Sequence, residues 1–114
     1  MKNIFIYKKI DSESENLAST LTEKLLLAGF NVEKTFTPQT DMTIVVGGDG
    51  AFLKAVRATN FSAKPILGIN NGHLGFFADF EASELDEVVE VCKTENYIIQ
   101  KHKVIQTIVN GCWI

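Results

Sequence analysis

Positive charge is scarce and unclustered. The 114-residue chain has one arginine, Arg57, and its 11 basic side chains stand against 14 acidic ones, for a formal net charge of −3. That balance argues against a nucleic-acid or anionic-membrane surface. Cysteine is also sparse. Cys92 and Cys112 have neither the spacing nor the neighbours of a metal site or a disulfide framework, so both are read as reduced thiols. No apolar run reaches membrane-spanning length, and the run in "MKNIFIYKK" is too short for the core of a signal peptide. The expected location is therefore the cytoplasm, with no membrane partner. The remaining composition, 46% apolar and 22% charged, is that of an ordinary soluble domain. At this length roughly two-thirds of the unfolded surface can be buried, enough for an unaided core.

Hydrophobic patterning gives the order β-α-β-β-α-β-α-β. "NIFIY" at residues 3–7 is a short β-branched and aromatic strand. A helix follows, with Ser12 as expected N-cap, Glu15 completing a capping box, and Leu17, Leu21, Leu25 and Ala28 forming its apolar face. Gly29 ends it. Residues 31–36 alternate weakly, as in an edge strand. "MTIVV" at 42–46 and "ILGI" at 66–69 read as buried strands. Between them residues 51–59 form a helix with Phe52, Leu53 and Val56 inward. Residues 70–81 read as a loop, and a helix runs from Ser83 to about Lys93 with Leu85, Val88, Val89 and Cys92 as its inner face. Apolar strands alternating with amphipathic helices predict an α/β fold: a three-layer domain whose mainly parallel sheet is covered on both faces. A composition shift near residue 97 predicts two units, an α/β domain over 1–97 and the first strand of a β-rich second domain over 98–114. The Asn110-Gly111 turn signal just before the end reads as a truncation.

Two strand ends carry the chemistry. In open parallel sheets, ligands bind beyond the carboxyl ends of the strands. "VVGGDGAFLKA" places Gly47, Gly48, Asp49 and Gly50 at one such end, immediately before a helix. Glycines leave room for a ligand, and the first N–H groups of the helix favour an anion. A carboxylate there repels phosphate unless something mediates. Either a Mg²⁺ lies between them, or Asp49 faces a hydroxyl to be phosphorylated and takes its proton. Simple capping of the helix by Asp49 is the structural alternative. Lys54, one turn further, is within reach of a phosphate or a ribose. The turn lacks the Gly-Lys-Ser/Thr ending of a Walker loop and the glycine spacing of a dinucleotide fingerprint. "ILGINNGHLGFFADF" forms the second constellation. Its Phe76, Phe77 and Phe80 either plug back into the core or line a slot for a flat ring. His73, a lone histidine, is read as structural or solvated, and His102 as solvated.

Together, "VVGGDGAFLKA" and "PILGINNGHLGFFADF" resemble the N-terminal part of the NAD kinase family across residues 1–100. The Gly-Gly-Asp-Gly turn by itself is shared with phosphofructokinase-like and with diacylglycerol or sphingosine kinase families. The loop from Gly68 to Phe76 is the more specific part. The resemblance implies transfer of a phosphoryl group from ATP, or polyphosphate, to the 2′-hydroxyl of the adenosine ribose of NAD, with a divalent cation such as Mg²⁺. It implies Asp49 as proton acceptor, and NAD contacts from Gly48, Asp49, Gly50, Lys54 and Asn70. Phe76 would lie against adenine, with Leu74 and Phe77 alongside. It also implies a homo-oligomer in the full-length protein. Ala51 departs from the Thr, Ser or Asn usual after the turn, which removes a hydroxyl near the phosphates. The family's second signature, Asn-Glu or Asn-Asp, is expected beyond residue 114, so the isolated chain is expected to be inactive. The remaining alternatives are a lipid-kinase-like domain and a non-catalytic nucleotide-binding fragment.

Overall fold

The computed structural model describes residues 3–59, 64–70 and 80–93. Within them the elements are β1 (Asn3–Lys8), α1 (Ser12–Leu27), β2 (Asn31–Glu33), β3 (Met42–Gly47), α2 (Asp49–Ala58), β4 (Ile66–Asn70), β5 (Phe80–Glu81), a single 3-10 turn (Ala82–Glu84) and α3 (Leu85–Lys93). The five strands form one sheet in the order β2-β1-β3-β4-β5, and every pair is parallel.

All six residues of β3 are buried, as suits a central strand covered on both faces. Strand alternation assigns its side chains to two separate cores. Ile44 and Val46 join Ile4, Leu67 and Ile69 against Ala18, Leu21 and Leu25 of α1 and Leu85, Val88 and Cys92 of α3. Val45 joins Ile66 against Ala51, Phe52, Ala55 and Val56 of α2. The three-layer α/β architecture follows directly from that division. All four residues expected on the inner face of the last helix are buried.

Local boundaries differ where side-chain chemistry outcompetes pattern. Asp11, not Ser12, caps α1. The Ser14 N–H donates to Asp11 Oδ1 at 2.7 Å, and Glu15 N–H makes the first intrahelical bond to the Asp11 carbonyl. An ionised acceptor at this position satisfies an orphan helix N–H and opposes the positive dipole end. The expected Ser12–Glu15 capping box therefore gives way, and Glu15 pairs instead with Lys8. Gly29, at φ +95°, is the left-handed residue that ends the helix, as expected. β2 spans only three residues and lies on the sheet edge. Because α2 begins at Asp49, its inner stripe is Ala51, Phe52, Ala55 and Val56, which leaves Leu53 only half-buried. The stretch read as a loop up to residue 81 ends in β5, with Ile69 opposite Phe80 and Asn70 opposite Glu81. Phe80 packs onto the core shared by α1 and α3, so at this position the plugging alternative holds. The last helix is preceded by its 3-10 turn, whose capping box joins Glu81 and Glu84. The strand and β-rich unit expected over 98–114 lie outside the described residues.

Candidate functional site

The chain leaves β3 through a tight bend. Gly47 has φ +153°, a conformation side chains rarely adopt. A Cβ built on it would lie 2.8 Å from Ala51 Cβ and 3.2 Å from Lys9 Cβ. Only glycine allows β3, the β1 end and α2 to approach so closely. Gly48 is the N-cap of α2, and its carbonyl accepts the Phe52 N–H at 3.0 Å. Asp49 is the first helical residue and is half-buried. The capping position belongs to Gly48, whose backbone is extended, and Asp49 follows it as the first residue of the helix. Its charge sits in the first turn, where the macrodipole favours an anion. Gly48 and Gly50 have nothing within 4 Å of a built Cβ, so both face open space.

Strand pairing brings the second constellation to the first. Gly47 lies opposite Asn70 across β3 and β4, so Asn70 stands at the carboxyl edge beside the turn. On the other side, β1 and β3 end together, and Lys9 N–H donates to the Val46 carbonyl at 2.9 Å. Between them lies a cleft of about 400 Å³ lined by Tyr7, Lys8, Lys9, Ile10, Gly48, Gly50, Ala51 and Lys54.

Five of the expected site residues thus converge at one edge of the sheet: Gly48, Asp49, Gly50, Lys54 and Asn70. Leu74, Phe76 and Phe77, with His73, lie outside the described residues. Sequence reasoning missed Lys8, Lys9 and Ile10. The signal was present, since "YKK" closes an apolar strand, but β1 had to be placed beside β3 before its end could matter. Among the described residues no group of three His, Cys, Asp or Glu side chains converges as a metal cluster. No helix among them is long and apolar enough to cross a membrane.

Known proteins match this chain over the same region. The sequence model of the ATP-NAD kinase N-terminal domain matches residues 8–97. An NAD kinase of Finegoldia magna is 35% identical over 106 residues, which is 93% of this chain and 39% of that protein. An NAD kinase of Bacteroides fragilis is 46% identical over 66 residues, covering 58% of this chain and 23% of that protein. The crystal structure of an NAD kinase from Archaeoglobus fulgidus in complex with ATP superposes with a TM-score of 0.64 at 21% identity, covering 83% of this chain and 38% of that one. That likeness is one of fold. The chain spans about two-fifths or less of the length of these relatives. With a family match running through β3, the glycine bend and β4, the chain belongs to the ATP-NAD kinase family, as its N-terminal domain.

Proposed function

We propose that this domain supplies the general base and part of the nucleotide pocket for phosphoryl transfer from ATP to the 2′-hydroxyl of the adenosine ribose of NAD, giving NADP. The observation that carries the reading is Asp49, a carboxylate set in a side-chain-free bend at the carboxyl edge of a parallel sheet. In the reaction the ribose oxygen attacks the terminal phosphorus, its proton passes to an Asp49 carboxylate oxygen, and ADP departs. Gly48 and Gly50 let the sugar approach the backbone. Asn70, across from Gly47, provides an amide that can orient a hydroxyl. Leu74, Phe76 and Phe77 are assigned to the adenine slot. Lys54 lines the adjoining cleft, where its ammonium meets phosphate.

Mg²⁺ is commonly held through one or two carboxylates together with substrate phosphates. With Asp49 kept as the base, the cation would be held by the substrate phosphates and would neutralise charge on the transferred group. Residues contributed from beyond this domain, and an oligomeric assembly, belong to the same proposal.

The test is Asp49→Asn in a polypeptide of the relatives' length, with NADP formation as the readout. Asparagine retains the shape but cannot take a proton. The expected fall in kcat is roughly 10²–10⁴-fold, with NAD binding nearly intact. A near-wild-type rate would remove Asp49 from the chemistry.

A further inference from the structure

α1 and α3 bury their apolar stripes in the same core, on the face of the sheet that α2 does not cover. On their outer side a groove of about 590 Å³ runs between them. That is several times the ~150 Å³ that one benzene-sized group fills. Leu27 and Ala28 line it from the end of α1, and Val89 lines it from α3. Leu27 is off the Ala18, Leu21 and Leu25 stripe that meets the sheet, and it is 89% exposed. Its neighbour Leu26 is 55% exposed, and the other exposed large apolar side chain among the described residues is Ile10. α1 runs back from the carboxyl end of β1 toward the start of β2, so this end of the helix lies toward the sheet edge opposite the glycine turn.

The charge around the groove is one-sided. Asp86, Glu87 and Glu90 border it from α3, and an exposed Glu23 stands one turn before Leu27 on α1. Lys24 is paired with Asp86 at 2.9 Å, and Lys93 with Glu90 at 3.5 Å. Glu23 and Glu87 are in no ion pair among the described residues. Two carboxylates are therefore left over beside an apolar floor, and they select the occupant. Such a rim repels nucleic acid and anionic lipid. A second copy in a two-fold contact would set the same carboxylates against one another. A segment whose Lys or Arg side chains flank an apolar stripe is complementary to it. A groove between two helices accepts a third helix, which anchors through side chains three and four residues apart.

We propose that the α1–α3 groove docks a cationic amphipathic helix of a partner protein. The helix lays its apolar stripe on Leu27, Ala28 and Val89 and sets its basic side chains over Glu23, Glu87 and Glu90. Burial of Leu27 supplies most of the affinity, and the solvated carboxylates supply attraction and register. The site is independent of the proposed phosphoryl transfer, since a partner held there does not enter the edge that carries Asp49.

The probe is a fluorescent peptide of leucine and lysine, about 14 residues long and patterned at helical spacing, titrated by anisotropy into the 114-residue chain. A control peptide of the same composition alternates leucine and lysine, so it has the same charge without the helical stripe. The patterned peptide should bind at least about tenfold more tightly than the control. Leu27→Ala should weaken it roughly tenfold, as expected for one leucine left unburied. Glu87→Gln together with Glu90→Gln should weaken it by about three- to tenfold at low salt, and by less as salt rises. All three positions are exposed, and circular dichroism checks that the variants keep the fold. Equal binding of the two peptides, or unchanged affinity in Leu27→Ala, would reduce the contact to attraction between charges and overturn the proposal. A dimer of the chain that depends on Leu27 in sedimentation would overturn it by making a second copy the occupant. Loss of peptide binding in a polypeptide of the relatives' length would overturn it as well, because the protein would then cover its own groove.

Discussion

Three glycines of one turn should respond to the same substitution in three different ways. Gly47→Ala places a methyl 2.8 Å from Ala51 Cβ and 3.2 Å from Lys9 Cβ, at a φ of +153°. The backbone conformation alone costs about 1–3 kcal/mol for a residue with a side chain. Ala51 Cβ is fixed to the α2 backbone and cannot swing aside, so relief requires the helix or the β1 end to move. Such overpacking costs a further ~1–3 kcal/mol. The expected loss is therefore about 2–6 kcal/mol, a large part of the stability of a domain this size. Gly48→Ala meets nothing within 4 Å at φ −112° and sacrifices only part of an N-cap preference, under about 1 kcal/mol. Gly50→Ala is also unobstructed and lies inside the helix, where alanine should stabilise by ~0.5–1 kcal/mol. Urea unfolding followed by far-ultraviolet circular dichroism measures all three. Gly47→Ala within about 1 kcal/mol of the parent, or Gly50→Ala as the most damaging of the set, would refute the close packing of β1, β3 and α2 at the bend.

Other consequences are simpler to check. Thr43 is 1% exposed, and its hydroxyl is the buried side-chain atom lacking a hydrogen-bond partner among the described residues. Thr43→Val should stabilise by about 0.5–2 kcal/mol, read as a higher urea midpoint, and a lower midpoint would reveal a partner for that hydroxyl. The Ser14 N–H bond, aided by the Lys9 charge, holds the Asp11 carboxyl below its usual value of 3.8. A carboxyl with a lowered folded-state pKa stabilises above its unfolded pKa and loses that contribution as pH falls through the folded value. Stability should thus decline on acidification from about pH 4 more steeply in the parent than in Asp11→Asn, which still caps but cannot ionise; parallel profiles would exclude the ionised cap. The Lys24–Asp86 pair between α1 and α3 is short, 2.9 Å, but Asp86 is 85% exposed. Asp86→Asn should change stability by less than about 0.5 kcal/mol, and a larger loss in thermal unfolding would mean the pair is desolvated.

What the sequence made legible was whatever depends on neighbours along the chain. "MTIVV" and "ILGI" are apolar at every position, and only a sheet covered on both faces buries such strands. Leu85, Val88, Val89 and Cys92 recur at helical spacing and form one inner face. The glycines at 47, 48 and 50 announce a bend, and at Gly47 the backbone and its close neighbours leave no room for another residue type. Boundaries were less legible, since Asp11 and Ser12 are both able to cap and only the position of the first turn chooses between them.

The sequence by itself determined the layered α/β class, the place of the turn at a strand end and the identity of its carboxylate, all set by side-chain periodicity and local backbone freedom. Only the tertiary structure decided which strand ends stand together. Placing β1 and β4 on either side of β3 is a long-range pairing with no local signature. That pairing turns an unremarked "KK" into one wall of a cleft and sets Asn70 opposite Gly47. It arises because α1 and α2 bury their apolar stripes on opposite faces of the sheet, which reverses its winding at the site.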